Sequence, residues 1–176
     1  MSEISPDVKF IERMEKYVRD KDRAALAHFR RGLSKPPGTA MEMFPYVARY
    51  TRHLSDREAD AYFVVASLIG LYPTFSWKSA DDGKTNLGSS LSFLRSENDR
   101  DSIVRRFTAL LNSDREDLPS YLRQIISLLK SKELPMNWHD LLRGIKQWNR
   151  LDKKIQREWA NGFWGNVPTD EKGEEN

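Results

Sequence analysis

With 176 residues, 39% of them hydrophobic and 11% aromatic, the chain has the length and apolar content for one domain or two small, tightly packed ones. Five Trp and eight Phe exclude a disordered chain, although 31% charged residues and a mean hydropathy of −0.70 imply a heavily charged surface. The formal net charge is only +3, and the absence of Cys excludes a disulfide framework, thiolate zinc and a cysteine nucleophile.

Helical periodicity dominates. A first helix is predicted over residues 6–20, with Phe10, Met14, Tyr17 and Val18 on one face and Pro6 in the first turn, where its missing N–H costs nothing. Asp22 can cap a second helix carrying Ala25, Leu26 and Phe29, with Gly32 as its stop. "SKPPGT" then reads as a rigid connection, and Pro45 confines any helix over 41–50 to a start near itself. Ser55 and Glu58 form an S-x-x-E capping box that opens a helix over 56–72. "AYFVVASLIGLY" within it is apolar on nearly every side, which predicts the central buried helix. Pro73 ends that helix, and the irregular stretch to residue 86 contains an Asp82-Gly83 turn.

Asn86 can cap a short helix with Leu87, Leu91 and Leu94, and Asp99 or Asp101 can start the next, with Val104, Phe107, Leu110 and Leu111 inward. Ser113 and Glu116 suggest a second capping box before Leu118, Leu122, Ile125, Ile126 and Leu129, with Pro119 in the first turn. Asn137 caps a helix bearing Leu141, Leu142, Ile145 and Trp148, and Asp152 caps a last one bearing Ile155, Trp159 and Phe163. No strand pair or solenoid-length repeat is visible, so the predicted class is all-α, with about nine helices. The polar "SENDR" suggests two closely packed halves sharing a core, 1–98 and 99–165, the second a four-helix bundle, followed by an acidic tail, 166–176. No segment approaches the ~20 apolar residues of a membrane helix, and "MSEISPDVKF" has no signal-peptide pattern. A cytoplasmic protein with no membrane partner is expected.

Catalytic chemistry has no foothold. His28, His53 and His139 lack ligand spacing, so no metal is expected. Ser127 and Lys130 match S-x-x-K without its companion motifs, and the glycines assemble no phosphate loop. No nucleophile is paired with a base. The chain therefore reads as no enzyme and as needing no cofactor.

The basic charge is concentrated instead. From Arg123 to Arg157 there are nine basic residues against Glu133, Asp140 and Asp152. A second surplus, between Arg23 and Arg57, includes Arg30 and Arg31. At ~100° per residue, Arg143, Lys146 and Arg150 fall on one side of a helix, opposite Leu141, Leu142, Ile145 and Trp148. If that helix runs on, Lys153, Lys154 and Arg157 extend the stripe. Arg123 and Lys130, seven apart, align on the preceding helix, and Arg105 and Arg106 project from the one before. Such a stripe with few alternating acids suits an anionic partner, through phosphate contact and not base reading. An ordinary solvated helix face is the other explanation. Trp77 and Trp148 can stack bases, although core packing accounts better for Trp148.

"HFRRGLSKPPG", "ADAYFVVASLIGLYP", "NLGSSLSFL", "VRRFTALLNSDREDLPSYLRQIISLLKS", "MNWHDLLRGIKQW" and "IQREWANGFW" follow one another in this order. Together they resemble the CasB family, the small subunit of the type I-E CRISPR surveillance complex Cascade, over about residues 10–164. The resemblance implies an all-helical, non-nuclease subunit present in two copies beside the backbone and large subunits. It implies contacts to the CRISPR RNA (crRNA), the target DNA and the displaced single strand that hold the R-loop open. The basic positions singled out within the matched span of about residues 10–164 are Arg30, Arg31, Arg105, Arg106, Arg123, Arg143, Lys146, Arg150, Lys153 and Lys154. The alternative from another class is a helical protein–protein scaffold without direct nucleic-acid contact.

Overall fold

The computed structural model describes residues 3–75, 77, 83–96 and 98–165. The acidic tail and the Asp82 half of the Asp82-Gly83 turn lie outside the described residues. Among the described residues there are nine α-helices, two 3-10 turns and no strand.

Helix α1 (Pro6–Arg19) starts where the Ser5 hydroxyl accepts the Val8 N–H at 3.3 Å, and it buries Phe10, Ile11 and Met14. Helix α2 (Arg23–Arg31) is capped by Asp22, which accepts the Ala25 N–H at 3.0 Å. Gly32 stops α2 as predicted, as its C-cap, but without a left-handed turn. Its φ is −68°, and it opens a 3-10 turn, Gly32–Ser34. The glycine is required there by contact: a Cβ would lie 2.1 Å from Ser67 Oγ and 2.6 Å from Met43 Sδ. A second 3-10 turn, Met41–Met43, leads into α3 (Phe44–Thr51), with Pro45 in its first turn.

Helix α4 (Asp56–Leu71) has the predicted capping box. Ser55 Oγ accepts the Glu58 N–H at 3.3 Å, and the Glu58 carboxylate accepts the Ser55 N–H at 3.0 Å. The Ser55 hydroxyl also donates to the Glu58 carboxylate at 2.7 Å; that bond first, and then the one from the Ser55 N–H, hold Glu58 below its usual range. Every residue from Ala61 to Gly70 is buried, so α4 needs no polar face. Ser55→Ala removes the acceptor and should cost about 1 kcal/mol. Thermal melts should show a fall of about 2–4 °C; a rise would contradict the cap's contribution.

Asn86 caps α5 (Leu87–Ser92), and α6 (Arg100–Leu111) follows. The capping box expected at Ser113 and Glu116 is not formed. The Ser113 hydroxyl donates back to the Leu110 carbonyl at 2.7 Å, residues 114–117 form a turn, and α7 (Leu118–Ser131) starts after Asp117 with Pro119 in its first turn. Asn137 caps α8 (Trp138–Lys146) as predicted. The last helix, α9 (Lys154–Trp164), follows Lys153, which is left-handed at φ 52°. Asp152 accepts the Lys154 N–H at 3.1 Å from one position further out than a normal cap.

Helix α4 packs against α2, α3, α7 and α8, while α5 crosses α9 and α6 lies along α7. The hydrophobic core is one cluster that reaches from Phe10 to Phe163. The expected C-terminal four-helix bundle is not set apart from the rest. Helix α8 packs against α4 and α1, and the most extensive pairing of all, α5 with α9, joins the two expected halves. Polar ties cross the same line: Trp138 Nε1 donates to the Thr74 carbonyl at 2.6 Å and the Tyr72 hydroxyl to the Leu134 carbonyl at 2.8 Å.

Candidate nucleic-acid interface

Helix α8 stops at Lys146, and residues 147–153 turn before α9 begins. The stripe expected to run from Arg143 into Lys153, Lys154 and Arg157 is therefore broken. Its first half is also neutralised. Arg143 Nη2 donates to Asp140 at 2.6 Å and to Glu158 at 2.5 Å. Lys146 Nζ lies 2.7 and 2.9 Å from the two Asp7 oxygens and 5.5 Å from the centre of the Tyr62 ring. Arg150 pairs with Asp152 at 2.6 Å, and Lys154 is 4.0 Å from Glu158. The lack of counter-charges along this stretch holds in sequence but not in space.

The pairing network is partly buried, with electrostatic consequences. Asp140 is 9% exposed and accepts the Trp159 Nε1–H at 2.8 Å. Burial lifts its carboxyl above the usual range, against the hydrogen bonds from Arg143 and Trp159, which favour the carboxylate. Partial burial also works against the Arg143 guanidinium, but its two carboxylate partners outweigh it and raise its pKa. Burial raises the Tyr62 phenol strongly, and the hydrogen bond it donates to Asp7 adds to that. The exposed Asp152 is pulled down to about 2, first by Arg150 and then by the Lys154 N–H.

The other predicted cations sit differently. Arg31 pairs with Glu42 at 2.8 Å. Arg30 donates to the Gly70 carbonyl at 3.5 Å and Arg123 to the Leu33 carbonyl at 3.0 Å. A neutral carbonyl orients a guanidinium without cancelling its charge. Arg105, Arg106, Lys130, Lys153 and Arg157 are exposed, and their side chains have no hydrogen bond or ion pair among the described residues. The Arg123–Leu33 bond holds α7 beside the end of α2. That brings Arg123 near the segment carrying Arg30 and Arg31, with Lys130 two turns further along the same side of α7.

Lys35, exposed and without an ion pair among the described residues, follows the same 3-10 turn and was not among the predicted positions. The basic surplus between Arg23 and Arg57 is the signal that contained it. Trp148 belongs to the core, 1% exposed, and donates to the Ser113 carbonyl at 2.9 Å; Trp77 is half-buried. His28 Nδ1 lies 3.0 Å from the Tyr46 hydroxyl, and His53 Nε2 accepts from Arg52 at 3.0 Å. Among the described residues, no group of three potential ligands could hold a metal ion, and no helix is long and apolar enough to cross a membrane.

Comparisons agree with this architecture. The family model for CRISPR-associated protein Cse2 matches residues 25–164. A CRISPR-associated protein Cse2 of Thermus thermophilus is 28% identical over 174 residues, 96% of each chain. The crystal structure of M. ruber CasB is 32% identical and superposes with a TM-score of 0.75, covering 93% of this chain and 94% of that one. A chain of a CRISPR RNA-guided surveillance complex, 23% identical, shares the fold with a TM-score of 0.73 over 90% of this chain and 91% of that one. The family model spans most of the described core, and the resemblance to CasB is thereby borne out: this chain belongs to the CRISPR-associated protein Cse2 family.

Proposed function

We propose that the chain is the non-catalytic small subunit of a type I-E Cascade complex and holds the R-loop open by contacting nucleic-acid backbones. Its partners in this reading are the backbone and large subunits, a second copy of itself, the crRNA, the target DNA and the displaced strand. The observation that carries it is the set of uncompensated cations, Arg105, Arg106, Arg123 and Lys130, on a chain of the Cse2 family. The likeness in fold to a chain of a surveillance complex supports the assembly.

The energetics fit such a role. Exchanging a DNA duplex for an RNA–DNA hybrid is nearly balanced, so backbone contacts of modest strength tip it. Each neutralised phosphate adds a salt-dependent increment without discriminating among bases. Arg31, Arg143, Lys146 and Arg150 are weaker contributors in this reading, because each is paired with a carboxylate, whereas Arg30, bound like Arg123 to a neutral carbonyl, keeps its charge. The neutralised α8 stripe favours a second reading at that face alone, a protein–protein scaffold surface.

The test is binding of labelled single- and double-stranded DNA between about 50 and 200 mM salt. Arg123→Glu with Lys130→Glu should flatten the logarithmic salt slope by about 0.7–0.9 for each phosphate no longer neutralised. Arg150→Glu, whose charge Asp152 already matches, should flatten it less. No salt dependence in the parent chain, or an unchanged slope in the double variant, would sink the assignment.

A further inference from the structure

A trough crosses the molecule between the "KPPG" loop and the start of α7, with α4 as its floor. Two adjoining cavities of about 340 and 300 Å³ form it, and they share Pro37, Val64, Glu116 and Pro119. Met43, Phe63, Val64 and Leu68 make the larger one apolar, and Ala61, Val64 and Ile145 do so for the smaller. Lys35 and Arg123 stand at one end, Arg57 and Arg115 at the other.

Two charges in the smaller cavity lack an ion-pair partner among the described residues. Arg115 is half-buried, and its guanidinium donates to the Arg57 carbonyl but makes no ion pair among the described residues. Asp60, also half-buried, makes neither a hydrogen bond nor an ion pair among them. Burial lowers the Arg115 pKa, with Arg57 adding to it, and burial raises that of Asp60. Leaving partly buried charges unpaired is costly, and here a cation and an anion line one cavity without meeting.

A ligand that offers both a donor and an acceptor satisfies both groups at once. A peptide group does so, its N–H to Asp60 and its carbonyl to Arg115. A phosphodiester offers acceptors only and would face the Asp60 and Glu116 carboxylates. The apolar floor likewise suits side chains and not a sugar–phosphate strand. The two cations at each end exceed the two carboxylates, which favours acidic flanks.

We propose that this trough docks a short extended peptide of a partner protein, apolar at its centre and carrying a carboxylate side chain at each end. The trough shares Arg123 with the nucleic-acid reading at one end, but Arg57, Arg115 and Asp60 take no part in that surface.

The experiment is fluorescence polarisation of the full chain with the labelled peptide Glu-Leu-Ser-Leu-Glu. Saturable binding is expected, weakened about tenfold by Arg115→Gln, as loss of a charged hydrogen bond implies. Lys35→Gln, at an exposed position where folding is not at stake, should weaken it several-fold. Arg19→Gln on α1 should leave it unchanged, and the peptide with lysines in place of its glutamates should bind at least tenfold more weakly. The proposal is overturned if no saturable binding occurs, if Arg115→Gln and Lys35→Gln bind like the parent, or if the lysine peptide binds as tightly as the glutamate one.

Discussion

Gly88→Ala should lower the thermal midpoint by about 10 °C, the largest effect expected from adding one methyl group to this chain. Helices α5 and α9 cross at Gly88, where a Cβ would stand 1.8 Å from the Trp159 carbonyl oxygen and 2.9 Å from the Phe163 nitrogen. Both obstacles are backbone, so no side chain can rotate away, and relief requires α5 to move off α9. Overpacking costs about 1–3 kcal/mol and more where backbone must shift. For a chain of this size each kcal/mol moves the midpoint by about 2–4 °C. Calorimetry decides: a shift below about 2 °C would mean that the crossing is looser than described.

Asp140→Ala should destabilise by about 1–3 kcal/mol, chiefly through the stranded indole N–H. The carboxylate sits where α8 meets α9, accepting from Arg143 at 2.6 Å and from Trp159 Nε1 at 2.8 Å. Alanine strands the N–H of Trp159, which is fully buried, and leaves Arg143 with Glu158 as its remaining carboxylate. Asp140→Asn keeps an oxygen for Trp159 and should recover roughly 1–2 kcal/mol of the loss. Denaturant unfolding of the three proteins separates the effects. Equal losses in the two variants would assign the cost to the charge and not to the indole hydrogen bond.

Much of the helical framework is legible residue by residue, because its signals are local. Asp22, Ser55, Asn86 and Asn137 each cap the helix predicted for them. Pro45 and Pro119 sit in first turns. Expectations fail where a local motif has a competing partner. The Ser113 hydroxyl is taken by the Leu110 carbonyl and does not serve α7. Gly32 does end α2 as expected, though what keeps it a glycine is its packing against Ser67 and Met43 on other elements.

The candidate site is legible as a surplus of charge but not as a surface. Lys146 meets Asp7, 139 positions away, and Arg143 meets Glu158 on the next helix. No window of sequence contains those encounters. Arg115 is invisible for the opposite reason: Asp114, Glu116 and Asp117 surround it, so charge counting reads an acidic stretch.

By itself, then, the sequence determined the all-α class, most helix starts, the buried face of most helices and the family resemblance. Those depend on residues within a turn or two of one another, and on motif order. Only the tertiary structure decided which cations are spent on internal carboxylates and which remain for a partner, and where the apolar trough opens. Charge compensation requires oppositely charged atoms within about 4 Å, a distance that chain folding sets between residues of any separation.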